Sequence, residues 1–126
     1  MSSSQRVSAH FSAGEFAEHT GLPAPAGYLY WVKRLCTDML EPLRAEFGPV
    51  TIVSGYRSTG YNASVGGAPL SFHRRITNRR GSAVDLQCLR GKPNDWYRFL
   101  DRRGAQGLGL YVSWVHVDNR GARARW

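Results

Sequence analysis

Ser82-Ala83-Val84-Asp85-Leu86-Gln87-Cys88 is the stretch on which the fold turns, because its apolar and polar side chains alternate with the period of two that marks a half-buried strand. Val84, Leu86 and Cys88 point one way, and Ala83, Asp85 and Gln87 point the other. Leu110 to Asp118 reads as a second, longer strand, with Val115 and Val117 on one face and Trp114, His116 and Asp118 on the opposite one. Val50-Thr51-Ile52-Val53-Ser54, a β-branched run after the Gly48-Pro49 break, gives a third, and Arg123-Ala124-Arg125-Trp126 a closing edge strand.

Helical spacing fills the remainder. Trp31, Val32, Leu35, Cys36, Met39, Leu40, Leu43 and Phe47 recur at three- and four-residue steps, which makes 28–47 the main amphipathic helix. Pro42 lies inside that pattern and should kink or divide it, since it lacks an N–H and crowds the carbonyl four residues back. Asn94 to Arg103 is a second helix, ended by Gly104, and His10 to Glu18 a short one with the Ser12/Glu15 spacing of a capping box. Residues 55–67 form a Gly/Ser/Tyr/Asn-rich connection with room for one helical turn, and Glu15, Glu18, Glu41, Glu46, Asp95 and Asp101 are expected to face solvent. The fold class is therefore α+β: a small, largely antiparallel sheet backed by helices. Residues 1–8 read as a flexible N-terminus and 9–126 as one domain.

Composition bounds the function. With 126 residues and 42% apolar side chains, the chain can bury about two-thirds of its unfolded surface. No run approaches the roughly 20 apolar residues of a membrane span, and no signal peptide is seen at the start, so synthesis in the cytoplasm is expected. Cys36 and Cys88 are too few for a disulfide framework and read as reduced packing residues. The net charge is +8, and the surplus lies wholly in residues 64–126, with twelve basic side chains against four acidic. Such a surface favours an anionic partner through its summed potential, without choosing which one.

Asp85 and His116 both project from the faces opposite their strands' aliphatic residues, and His73 lies in the polar segment Ser71-Phe72-His73 before them. Two imidazoles and a carboxylate suffice for a catalytic Zn2+ that keeps a fourth position open. Spacing alone does not single out this triple among four histidines and nine acids.

The surrounding text does. Ser54-Gly55-Tyr56-Arg57-Ser58, Tyr61-Asn62, Val65-Gly66-Gly67-Ala68, Ser71-Phe72-His73, Gly81-Ser82-Ala83-Val84-Asp85-Leu86 and Val115-His116-Val117-Asp118 occur in order. This ordered set resembles the zinc D-Ala-D-Ala carboxypeptidase and endopeptidase family, peptidase family M15, above all its small branch of phage and bacterial cell-wall enzymes. Phe11-Ser12 with Glu15-Phe16, and Leu40-Glu41-Pro42-Leu43-Arg44, extend the likeness to roughly Phe11–Trp126. The resemblance implies the hedgehog/DD-peptidase fold, one Zn2+ held by His73, Asp85 and His116, and Arg57 facing the substrate's carbonyl or carboxylate. It also implies Ser71 and Tyr56 at the substrate, and a peptidoglycan peptide cut beside a D-amino acid at the cell wall, as in phage lysis or a virion-associated protein.

Two departures stand out. The first His and the Asp stand seven apart in that family but twelve apart here, the extra residues falling within Arg74-Arg75-Ile76-Thr77-Asn78-Arg79-Arg80. That basic loop is a candidate contact for an anionic cell-wall polymer, an autoinhibitory loop, or a plain solvated loop. An acid often precedes the second His by three residues, where Ser113 stands here. Asp118 lies two residues beyond His116 on the same face, about 7 Å along the strand, and is open to two roles: base, or partner holding His116 or Arg120. Two further readings compete with the peptidase. One is a non-catalytic metal- or wall-binding module. The other, a nucleic-acid binder using the arginines with Tyr56, Tyr61, Trp96 and Trp114, is disfavoured because the basic residues form no nucleic-acid motif.

Overall fold

The alternating stretches pair side by side in the computed structural model, which describes residues 4–126. In chain order the strands are β1 (Arg6–Ser8), β2 (Phe11–Ser12), β3 (Val50–Ser54), β4 (Ala83–Cys88), β5 (Gly107–Leu110), β6 (Val115–Asp118) and β7 (Ala124–Arg125). The helices are α1 (Ala26–Leu35), α2 (Glu41–Phe47), α3 (Thr59–Ser64) and α4 (Pro93–Arg102). β3-β4-β6-β5-β7 make one five-stranded sheet, antiparallel except where β7 joins β5 in parallel, and β1 and β2 form a separate antiparallel pair. The class is α+β as expected. Of the end expected to be flexible, residues 1–3 lie outside the described residues, and Arg6–Ser8 are β1, where Val7 is buried in the core.

Pro42 divides the main helix by way of a π turn over Cys36–Leu40, with Pro42 itself in the first turn of α2. The N–H of Glu41 bonds five residues back to the carbonyl of Cys36, which is the wider step of that turn. The carbonyl of Asp38, which Pro42 cannot serve, accepts from Arg103 Nε at 3.3 Å instead. Leu29, Val32, Leu35, Leu40 and Leu43 from this unit meet Val84, Leu86, Val115 and Val117 from the sheet in one core, together with Trp96 and Leu100 of α4. Each such fully buried side chain contributes about 1.5–3 kcal/mol. Helices thus cover one face of the sheet, and the opposite face carries Asp85 and His116.

Three expectations are corrected. Residues 110–118 are not one strand but a hairpin: β5 and β6 flank a turn closed by the Tyr111 N–H on the Trp114 carbonyl at 3.1 Å, with the two rings stacked 5.0 Å apart at 13°. The expected helix over 10–18 contracts to a single 3-10 turn, Ala13–Phe16, entered through the Glu15 carboxylate on the Ser12 N–H at 2.7 Å. Glu18 does not face solvent. It is buried, accepts from the Ser58 N–H and from Thr20 Oγ1 at 2.7 Å, and so ties the N-terminal segment to the loop after β3.

Candidate metal centre

Strand register brings two of the three candidate ligands together, for Asp85 of β4 stands directly opposite His116 of β6. His73 arrives from the long loop between α3 and β4. Its carbonyl accepts from the Arg57 N–H at 2.8 Å, and its Nδ1 donates to the Gly55 carbonyl at 2.7 Å. The β3–α3 loop is held on its other side by the Tyr56 N–H on the Phe16 carbonyl at 2.9 Å. One ligand atom from each of His73, Asp85 and His116 lies within 4.8 Å of the other two, and all three residues are buried.

Their hydrogen bonds fit a cation. Because a carbonyl accepts from His73 Nδ1, that ring carries its proton there and turns the bare Nε2 toward Asp85 Oδ1, 3.3 Å away. His116 gives its Nε2 proton to Asp118 Oδ2 at 2.7 Å and turns Nδ1 toward the same Asp85 oxygen at 3.2 Å. Two nitrogen lone pairs and a carboxylate oxygen therefore converge. Such a set is repulsive by itself and complementary to a divalent metal, with both rings oriented through their far nitrogens in the way metal-bound histidines are held.

Titration behaviour follows from the same contacts. Burial alone would raise the Asp85 carboxyl, but once either ring is protonated its facing nitrogen donates to Asp85, and these bonds, from His116 first and His73 next, hold the carboxyl well below the usual carboxylate range. Burial likewise opposes ionisation of Asp118, and His116 and Arg120 outweigh it. Burial pushes His73 down, so its neutral, ligating form is favoured. The His116 ring is raised despite its burial, through Asp118 first and Asp85 next. Cys36 and Cys88 are free thiols whose pKa burial pushes up to about 12, so both serve as packing groups.

Asp118 is held more tightly than its position in the sequence suggests. Both its oxygens accept from Arg120 Nε, at 3.0 and 3.1 Å, and Oδ2 takes Arg120 Nη2 at 2.7 Å as well. Its carboxylate occupies space that exists because Gly107 stands opposite it on β5, and Gly109, opposite His116, leaves the same room for the Trp126 ring. Trp126 rests against the His116 ring at 4.8 Å. Gly107, Gly109 and Trp126 are not among the site residues that the sequence motifs single out. The alternation of two glycines on the site-facing side of a strand is the signal that could have found them.

Arg57, Ser71, His73, Asp85, His116, Arg120 and an aromatic wall of Tyr111, Trp114 and Trp126 line a cavity of about 390 Å³. Arg57 Nη2 lies 3.5 Å from Asp85, its Nε donates to Ser54 Oγ at 3.2 Å and its Nη1 to Asn62 Oδ1 at 3.4 Å. Ser71 Oγ accepts from the His73 N–H at 3.1 Å and so shapes the turn that presents His73. Tyr56 is directed elsewhere: its ring packs edge-on against the buried Tyr28, 5.7 Å away, and it does not line the cavity. Ser113 is exposed, and its carbonyl accepts from Gln87 Nε2 at 2.8 Å.

The basic insert is stitched to its own backbone. Arg79 donates to the carbonyls of Leu70 at 2.6 Å and Ser71 at 2.8 Å while lying over the Phe72 ring at 3.9 Å. Arg75 bonds the Arg79 carbonyl at 2.6 Å, Arg80 that of Asn119 at 3.0 Å, and Arg74 that of Pro69. Guanidinium groups here replace the ladder that a segment without secondary structure lacks.

No curated protein and no solved structure matches the chain. The family model of Peptidase M15 matches residues 8–118, from the end of β1 through the last residue of β6, and therefore spans all three candidate ligands, His73, Asp85 and His116. With that match, and with a His/Asp/His group that could hold a metal ion, the chain belongs to the M15 family of zinc peptidases.

Proposed function

We propose that the protein is a zinc-dependent peptidase of peptidoglycan, cutting a stem or cross-link peptide beside a D-amino acid. The observation that supports this reading most is the convergence of His73 Nε2, His116 Nδ1 and an Asp85 oxygen on the wall of an open cavity. One zinc ion suits three such donors with a fourth position left open. The chemistry that a bound zinc ion supplies is polarisation of the scissile carbonyl and acidification of a water molecule.

The chain's own groups supply the rest. His73 and His116 keep their lone pairs inward because Gly55 and Asp118 take their outer protons. Arg57, fixed by Ser54, Asn62 and Asp85, sets a guanidinium where a carbonyl oxygen gains negative charge. The aromatic wall shields one side of the peptide from water. Asp118, of the two roles open to it, is supported as the group that orients His116: it contacts the far nitrogen of that ring, is 1% exposed, and is pinned by Arg120. Although the insert's guanidinium groups are tied to carbonyls, they keep their charge, so attraction of an anionic wall polymer remains available as a field effect.

Digestion of purified peptidoglycan by the zinc-loaded protein, with the released fragments read by mass spectrometry, tests the proposal. Release of fragments with newly freed peptide termini supports it; an intact polymer at stoichiometric zinc refutes it. The second reading, a non-catalytic metal- or wall-binding module, rests on one feature: among the described residues Asp85 is the only carboxylate lining the cavity. Zinc binding and wall binding without fragment release is the outcome that favours it.

A further inference from the structure

Two guanidinium groups face the cavity, and their bonding differs. Arg57 has each of its three nitrogens engaged, on Ser54, Asn62 and Asp85. Arg120 places Nε and Nη2 on Asp118 and has no partner for Nη1 among the described residues, although that residue lines the cavity and its side chain is 26% exposed. The guanidinium of Arg120 also lies over two aromatic rings, Phe72 at 4.8 Å and Trp126 at 5.0 Å. A guanidinium locked by a carboxylate and two aromatic faces, with one edge left open to a cavity, is a prepared receptor for an anion of carboxylate shape.

We propose that Arg120 is the specificity-determining residue of this site, taking a carboxylate of the substrate peptide on its Nη1 edge. This deepens the peptidase reading above and rests on it. Only Asp118 separates Arg120 from His116, so the carboxylate lies within a residue or two of the scissile bond, at about 3.5 Å of extended chain per residue. The substrate class is therefore a peptide that carries a free carboxylate next to the bond that is cut, either its own C-terminus or an acidic side chain. Charge agrees: Arg57 and Arg120 balance Asp85 and Asp118, so a bound divalent cation leaves the cavity with net positive charge for an anionic substrate to meet. Arg57 stays with the carbonyl: its three nitrogens are already fixed by Ser54, Asn62 and Asp85, and the second N–H on each Nη is the donor left for an oxygen.

The test compares acetylated D-alanyl-D-alanine with its C-terminal amide on the zinc-loaded protein, measuring binding by calorimetry and turnover separately. The wild type is expected to favour the acid by about 10- to 100-fold, the discrimination that one charge-assisted hydrogen bond to a fixed partner provides. Arg120→Gln should bring that ratio close to one, whereas Arg57→Gln should lower turnover of both peptides and keep the ratio. General damage from a disturbed Asp118 cancels in the ratio. Should Arg120→Gln fail to fold, Arg120→Lys keeps the charge without the planar fork, and an acid preference as large as the wild type's overturns the proposal. A wild-type ratio near one, both for this pair and for a peptide pair that differs only in a D-Glu or D-Gln side chain beside the scissile bond, also overturns it, as does a ratio lost with Arg57 and retained without Arg120. If the acid is the only strong binder and neither peptide is hydrolysed, the carboxylate site stands and the hydrolytic reading falls.

Discussion

Gly107→Ala carries the most direct test of how the centre is held. A Cβ at Gly107 overlaps Cγ and both oxygens of Asp118, and the backbone there is not in the left-handed region, so contact alone decides the effect. Carbon-to-atom contacts settle at about 3.5–4.0 Å, so the carboxylate has to move by about 1 Å or more. It is not a free side-chain end. Asp118 is bonded to His116 Nε2 at 2.7 Å and to Arg120 Nη2 at 2.7 Å, and a shift of that size breaks or bends both bonds. Overpacking of this kind costs about 1–3 kcal/mol, which lowers the melting temperature of a chain this long by roughly 3–15 °C. Losing the group that orients a metal-bound histidine typically costs about 10- to 100-fold in metal affinity. Competition titration against a chromogenic chelator, with a thermal melt on the same sample, measures both. Gly60→Ala is the control: its Cβ meets nothing within 4 Å, it sits in α3, and it should leave zinc affinity unchanged and raise stability slightly. A Gly107→Ala protein that binds zinc as tightly as the wild type would refute the claim that Asp118 secures the site through His116.

Asp118→Asn should weaken zinc binding by about 10- to 100-fold, read by the same titration; zinc affinity at the wild-type level with turnover reduced 10²–10⁴-fold would instead return Asp118 to the role of base. Arg79→Gln removes donors from the Leu70 and Ser71 carbonyls and the stack on Phe72, so it should cost about 1–3 kcal/mol in urea unfolding, while Arg102→Gln, at an exposed helical position, should cost nearly nothing. Burial would raise the Glu18 carboxyl, yet hydrogen bonds from Ser58 and Thr20 hold it below its ordinary value of 4.5. Its stabilisation is therefore full above that value and is lost as pH falls through the lower, folded-state value. The stability gap between wild type and Glu18→Gln should be present at about pH 6.5 and narrow as the pH is taken down below the ordinary value in urea melts, and a gap that widens on acidification contradicts the assignment.

The period of two in 83–88 and 115–118 placed Asp85 and His116 on one face, and their pairing across β4 and β6 follows from it. What alternation could not show is how far side chains lean. Asp118 and His116 stand two positions apart on one strand face, yet their polar atoms meet at 2.7 Å because Gly107 leaves the carboxylate nowhere to collide. The hairpin at 111–114 has no Gly, Pro or Asn in its turn; the Tyr111–Trp114 stack stands in for those residues, and without them the run reads as one strand. His73 was reachable only through the ordered motifs, since a loop has no period from which to compute a direction.

The basic surplus of the second half shows the same limit from the other side. Net charge reads as a sign of an anionic partner, but Arg74, Arg75, Arg79, Arg80, Arg90 and Arg125 all donate to backbone carbonyls of segments outside regular ladders or at helix ends, and Arg103 to the Asp38 carbonyl that Pro42 cannot serve. Loops that carry a metal ligand must be rigid without being strands, and a forked cation can satisfy carbonyls from several turns at once. Composition counts such an arginine and one facing a ligand alike. Of the two cavity arginines, it is the bond left unmade at Arg120 Nη1, visible only in three dimensions, that separates structural from substrate-directed charge.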